Sequence, residues 1–365
     1  MFAVKAFSKP CDAFGHMRLN SHAFIHDLNH KDVKMSLSST SRRLEGVQSA
    51  LEVTVCEALG DPKTHDAQKL HRAYGDLIGN PTLVRQPNVD FRAIADILKS
   101  KFPWATDAVE LVLGEIALKQ VYGDPRLSSV LKPFLLVGQP GSGKTKFATE
   151  LSKILGLPMD ILSGGVADSG GLQAVSRGWS STLPCGPFLA MHRHKCANPV
   201  ILIDEIDKAK DGASNGHIWT TLLSMLNGDG QFYDSCLMAN VDLRFVNFWA
   251  TANTIAEMPR PLVDRFIVVQ MPSPGAEFSD RILDSIVADH LSSIGAQGCP
   301  AITQLERHKI KQVLKSNDGS IRKMQQTFAA LLRKKALQEV LPVMHHDEAK
   351  ENTLIHWPSP SEALH

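Results

Sequence analysis

Pro133-Phe-Leu-Leu-Val-Gly-Gln-Pro-Gly-Ser-Gly-Lys-Thr145 is the stretch on which the fold of this chain turns. Its first part, Pro133 to Val137, is an apolar run of the length of a buried strand. Gly138, Gln139, Pro140, Gly141, Ser142, Gly143, Lys144 and Thr145 follow as a glycine loop that opens a helix. The glycines let the backbone curl until its N–H groups converge on an anion, and the helix adds its positive N-terminal end. At the end of such a loop a lysine suits β- and γ-phosphates, and a threonine hydroxyl suits Mg²⁺. A bare glycine turn ahead of a helix is the plain alternative, and the preceding strand argues against it. The stretch reads as a binding loop for a nucleoside triphosphate on a parallel α/β sheet.

Downstream, Pro199-Val-Ile-Leu-Ile-Asp-Glu-Ile-Asp207 is a second apolar strand, rich in β-branched residues and ending in adjacent carboxylates. Asp204 is placed to hold Mg²⁺ and Glu205 to polarise an attacking water. A protein that only binds nucleotide has no need of the second acid. Asp207 and Lys208 read as the start of the next helix and receive no catalytic role. A third strand, Phe245-Val-Asn-Phe-Trp-Ala250, runs into Thr251-Ala-Asn-Thr254. Open parallel sheets bind ligands beyond the carboxyl ends of their strands, so Asn253 is a candidate to orient water or sense the γ-phosphate. Asp264-Arg265-Phe266 opens one more apolar strand, where Arg265 is either a plain surface charge or a donor to a neighbouring subunit's nucleotide.

Together these segments resemble the AAA+ ATPases, and more narrowly the ATPase module of Lon, over about residues 90–340. The loop at 138–145 is similar to Walker A and Val200–Asp207 to Walker B. Ala250–Thr254 is similar to sensor 1, and Met258–Phe266 to the stretch carrying the arginine finger, which falls on Arg265. Asp318-Gly-Ser-Ile-Arg-Lys323 opens a helix in the manner of sensor 2, on Arg322. Ser163-Gly-Gly-Val166 and Ser176–Pro184 resemble the Lon segment around pore loop 1, so Trp179 stands where the family has its pore aromatic. Its polar, glycine-bearing neighbours suit an exposed loop, whereas a large aromatic alone suits a core or interface equally.

The resemblance implies an AAA+ α/β core with a C-terminal helical lid, preceded by an N-terminal helical segment. It also implies ATP rather than GTP, Mg²⁺, a homo-oligomeric ring (a hexamer), and remodelling or unfolding of a polypeptide. Lon continues past its lid into a protease domain. The roughly twenty residues after this lid are too few for one, since domains seldom fall below ~50 residues, so the expectation is an ATPase lacking its own peptidase. Two rival readings are an ATPase that gates a partner complex without threading, and a nucleic-acid motor or clamp-loader-type ATPase. The charge balance, 39 basic against 38 acidic residues, gives no field to attract nucleic acid or an anionic membrane. No apolar run approaches a membrane span, the amino terminus lacks a secretory core, and six cysteines without a CxxC pair suit reduced thiols. A cytoplasmic protein is expected.

The chain divides into residues 1–88, a helical or irregular segment; 89–272, the nucleotide-binding core; 273–345, the lid; and 346–365, a polar tail. Within the first, Ser41–Gly60 reads as an amphipathic helix with Leu44, Val47, Leu51 and Val55 on one face, and Asp66–Ile78 as its partner. His22, His26 and His30 would share a helix face, and Cys185, His192, His194 and Cys196 lie close in sequence. Three imidazoles on one face, with Asp27 nearby, can bind zinc or nickel, but terminal histidine clusters are mostly solvated; the spacing of the second set matches no structural zinc module.

Overall fold

The computed structural model describes residues 50–87, 89–164, 171–177, 182–209, 218–295, 302–316 and 319–340. The histidines at 22, 26 and 30, Trp179 and the tail lie outside them.

Ser41–Gly60 is not one helix. Leu51–Thr54 forms β1, an extended strand with alternating exposure, paired antiparallel with β2 (Pro81–Val84). Leu-Glu-Val-Thr alternates apolar with polar at period two, and that local pattern prevails over the 3.6-residue spacing drawn across the longer segment. Between the strands, α1 (His65–Tyr74) starts at Thr64, whose side chain accepts the Ala67 N–H. Val55 and Val84 are buried in the same apolar cluster as Phe188 and Ile201. Backbone bonds from Asp242 N–H to the Val55 carbonyl and from Ala197 N–H to the Leu83 carbonyl fix the pair further. Residues 50–87 therefore pack on the α/β core as part of one compact unit.

Two helices lead into the core. Asp90 caps α2 (Phe91–Lys101), Pro103 falls in the break, and α3 (Thr106–Tyr122) follows. The sheet then alternates strand and helix: β3 (Phe134–Val137), α4 (Lys144–Ile154), β4 (Met159–Ser163), α5 (Gly186–His194) and β5 (Val200–Asp204). After α6 (Ile218–Met225) a hairpin of β6 (Gln231–Asp234) and β7 (Ala239–Asp242) leads to β8 (Asn247–Ala252). A short turn of helix, α7 (Arg260–Val263), precedes β9 (Ile267–Gln270).

The five strands β4-β5-β8-β3-β9 pair in that order, all parallel. Both faces of β3, β5 and β8 are buried, which is why these strands read as continuous apolar runs. The chain enters the sheet at β3, crosses to the β4 edge, and returns past β3 to close on β9. The switch in direction leaves the carboxyl ends of β3, β5 and β8 open to a ligand.

The lid is α8 (Ser279–Ser293), α9 (Gln304–Ser316) and α10 (Ile321–Val340). It has its own small core of Ile282, Leu283, Ile310, Met324 and Phe328. Trp104 packs against this cluster and against that of the sheet as well.

Candidate functional site

The loop after β3 adopts the shape its glycines allow. Gly141 and Gly143 have φ of 81° and 97°, a region that side chains with a Cβ rarely enter. Gly138 is needed for closeness instead, since a Cβ there would lie 2.1 Å from the Met271 carbonyl oxygen at the end of β9. Lys144, 6% exposed, turns back across the loop. Its Nζ donates to the carbonyls of Gly138 (2.8 Å) and Gln139 (3.0 Å) and to Asn253 Oδ1 (3.0 Å). Burial pulls its pKa below the ordinary lysine value, against the opposing pull of Asp207, Asp204 and Glu205.

A single carboxylate oxygen joins loop and sheet. Asp204 Oδ1 accepts from Thr145 Oγ1 at 2.8 Å and from Thr251 Oγ1 at 2.6 Å. Thr251 in turn accepts the Glu205 N–H at 2.9 Å. Glu205 has φ 55° and ψ 49°, left-handed backbone for a non-glycine residue, a conformation that costs of order 1–3 kcal/mol and gathers at functional sites. Its carboxylate projects from the strand end, held by Lys208 Nζ at 2.6 Å. Asp207 lies in a short 3₁₀ turn and accepts the Asn253 N–H at 3.0 Å. Sequence reasoning gave Asp207 no role, yet it aligns the residue that receives the Lys144 ammonium.

These groups open on a cavity of about 900 Å³ between core and lid. Lys144, Thr145, Asp204, Glu205 and Asn253 line it from the core, and Arg322 lines it from the first turn of α10. Thus the sequence candidates in the loop, the acids, Asn253 and the lid arginine converge. Arg265 does not join them: it is exposed, donating to the Pro261 carbonyl at 2.9 Å and reaching Asn227 Oδ1 at 3.5 Å. Trp179 lies outside the described residues, but the flanking Val175 and Leu183 form an antiparallel bridge. The other weighed cluster disperses. Cys185 and Cys196 are buried, while His192 pairs with Asp76 and His194 with Asp160.

Three contributors went unread. Thr251 is a polar residue inside an apolar strand, a signal legible in hindsight. Arg281, from the first turn of α8, and Trp104, from the α2–α3 turn, also line the cavity, and only the tertiary arrangement brings them there.

The donor set suits Mg²⁺. A hydroxyl and a carboxylate oxygen 2.8 Å apart are hard oxygen ligands beside a loop shaped for phosphate.

A phosphate loop after β3 of a parallel sheet, with an Asp–Glu pair at the end of β5 on the far side of β8, defines a P-loop ATPase. Residues 134–273 match the model of the ATPase family associated with various cellular activities (AAA). The chain is similar to the mitochondrial Lon protease homologue of Neurospora crassa, 32% identical over 215 residues, 57% of this chain and 19% of that one. It is 27% identical to the Lon protease of Clostridium acetobutylicum over 267 residues, 68% of this chain and 32% of the other. The peroxisomal Lon protease homologue 2 of Spinacia oleracea is 27% identical over 277 residues, 73% and 30% of the two chains. The chain thus spans between 19% and 32% of the length of these relatives. A solved structure described as a closed-state reconstruction of Hsp104 with ATPγS and FITC casein shares the fold. Its TM-score is 0.56 at 18% identity, covering 68% of this chain and 48% of that one. Among the described residues no helix is long and apolar enough to cross a membrane.

Proposed function

We propose that the chain hydrolyses ATP with Mg²⁺ and that lid movement in this cycle drives remodelling or unfolding of a polypeptide, in a homo-oligomeric ring such as a hexamer. The observation that carries the chemistry is the shared oxygen of Asp204. Through it the phosphate-loop threonine, the metal-binding acid and the backbone of Glu205 are fixed in one network. When bound, Mg²⁺ neutralises charge on the β- and γ-phosphates. Thr145 and Asp204 would hold it, and Lys144 would exchange the loop carbonyls for the phosphate oxygens. Glu205, released from Lys208, takes the proton of the attacking water. Asn253 orients that water, held by Asp207 at its backbone, and Arg322 reads the γ-phosphate from the lid.

Arg265 acts on the nucleotide of a neighbouring subunit. What supports this is its exposure, away from its own cavity and free of acidic partners among the described residues. The ring follows, because such a pocket is complete only across a heterologous interface that closes. The polypeptide substrate rests on the likeness to chains named Lon protease, and Trp179 is the residue proposed to grip it. A cytoplasmic site of action is part of the same reading.

Glu205→Gln tests the chemistry. Steady-state phosphate release falls at least a hundredfold while ATP stays bound after rapid gel filtration. Normal turnover in that variant removes Glu205 as the base.

A further inference from the structure

Lys146 follows the two loop residues in the first turn of α4, where a third functional group is not required. A lysine there is unfavourable for the helix, since it adds positive charge to an end already positive and close to Lys144. Its Nζ instead leaves the core. It donates to Ser285 Oγ at 2.9 Å and to the Asp289 carboxylate, both on the lid helix α8. Positions 285 and 289 are one turn apart on one face of α8, so a single ammonium spans two successive turns. A second tie lies close by: Ile321 N–H, at the start of α10, donates to the Gly141 carbonyl at 2.9 Å. Trp104 supplies the third, stacked edge-on to Phe102 of the core and 6.2 Å from Phe278 at the entry to the lid.

We infer that Lys146 is a positioning residue, a latch that holds the lid against the phosphate-loop helix and so governs how fast nucleotide leaves. The inference rests on the nucleotide reading of the cavity. With the latch shut, Arg322 and Arg281 line the cavity from the lid and the bound molecule is enclosed. The side chains of Lys146 and Asp289 remain 28% and 55% exposed, so water can replace the bond and the lid can open. The backbone tie at Gly141 involves no side chain. The lysine bridge is therefore the adjustable one of the two that join lid and loop.

A double-mutant cycle read by stopped-flow release of a fluorescent ADP analogue from the full chain tests this. Asp289 is on the surface and outside the cavity, so Asp289→Ala folds and leaves the phosphate contacts intact. Release speeds up about three- to fivefold in Asp289→Ala, the range of a partly exposed ion pair. Lys146→Ala/Asp289→Ala is then no faster than Lys146→Ala, because both changes break one bond. Release from Asp289→Ala at the wild-type rate overturns the latch. So does a double variant whose effect is the product of the singles, since Lys146 then acts on the phosphates directly. A wild-type chain that binds no ADP analogue overturns the nucleotide reading and the latch with it.

Discussion

Asp204 and Thr251 show how little of a hydrolytic site is chemistry and how much is support. Thr251 is fully buried, donates to one acid and accepts the backbone N–H of the other. Valine has the same shape but neither bond. Thr251→Val therefore leaves the part-buried Glu205 N–H without this partner, which costs up to about 1–3 kcal/mol, and lets Asp204 and Glu205 drift. Supporting partners of this kind are worth about 10–100-fold in activity. We expect kcat to fall by that factor with KM for ATP changed far less, measured by coupled phosphate release. An unchanged kcat would show that the acids hold their places without it.

The lid is the element whose stability is separable from that of the sheet. Phe328 is buried at its centre, edge-on to His290 and packed among Ile282, Leu283 and Met324. Phe328→Ala removes this filling and costs about 3–5 kcal/mol. In urea unfolding the lid signal is expected to lead that of the core. The lid also carries ion pairs on its outside. Lys311 hydrogen-bonds Asp280 and holds its carboxyl below the ordinary aspartate value, with Arg307 adding to it. Lys335 does the same for Glu306. A carboxyl whose pKa is lowered by folding binds fewer protons folded than unfolded, so its stabilisation is present above the ordinary values of 3.8 and 4.5 and lost as pH falls through the lowered ones. These pairs are exposed, so the effect is modest and screened by salt. Melting of the lid is expected to drop between neutral and acid pH in wild type, and to drop less in Asp280→Asn.

At the scale of the molecule the open question is whether one copy suffices. If Arg265 acts across an interface, Arg265→Ala loses about 10³-fold or more in turnover, the range for arginine fingers. Mixing it with Glu205→Gln then recovers activity, because one variant supplies the base and the other the arginine. Mixtures no more active than the sum of their parts place Arg265 outside the reaction.

The core and the heart of the site were legible in the chain because they rest on local rules. A run of four buried residues makes a two-faced strand, glycines at set spacing make an anion cradle, and a strand that ends in acids aims them at the ligand edge. Loop, Asp204, Glu205 and Asn253 each sit within a few residues of the feature that positions them. The N-terminal segment misled, because apolar spacing across Ser41–Gly60 suits a helix until a partner strand thirty residues on captures Leu51–Thr54. Trp104, Arg281, Lys146 and the lid's grip on the phosphate loop were decided only by tertiary structure. Each depends on how the lid settles on the sheet, a matter of packing between surfaces more than a hundred residues apart, and no window of sequence contains both sides of such a contact.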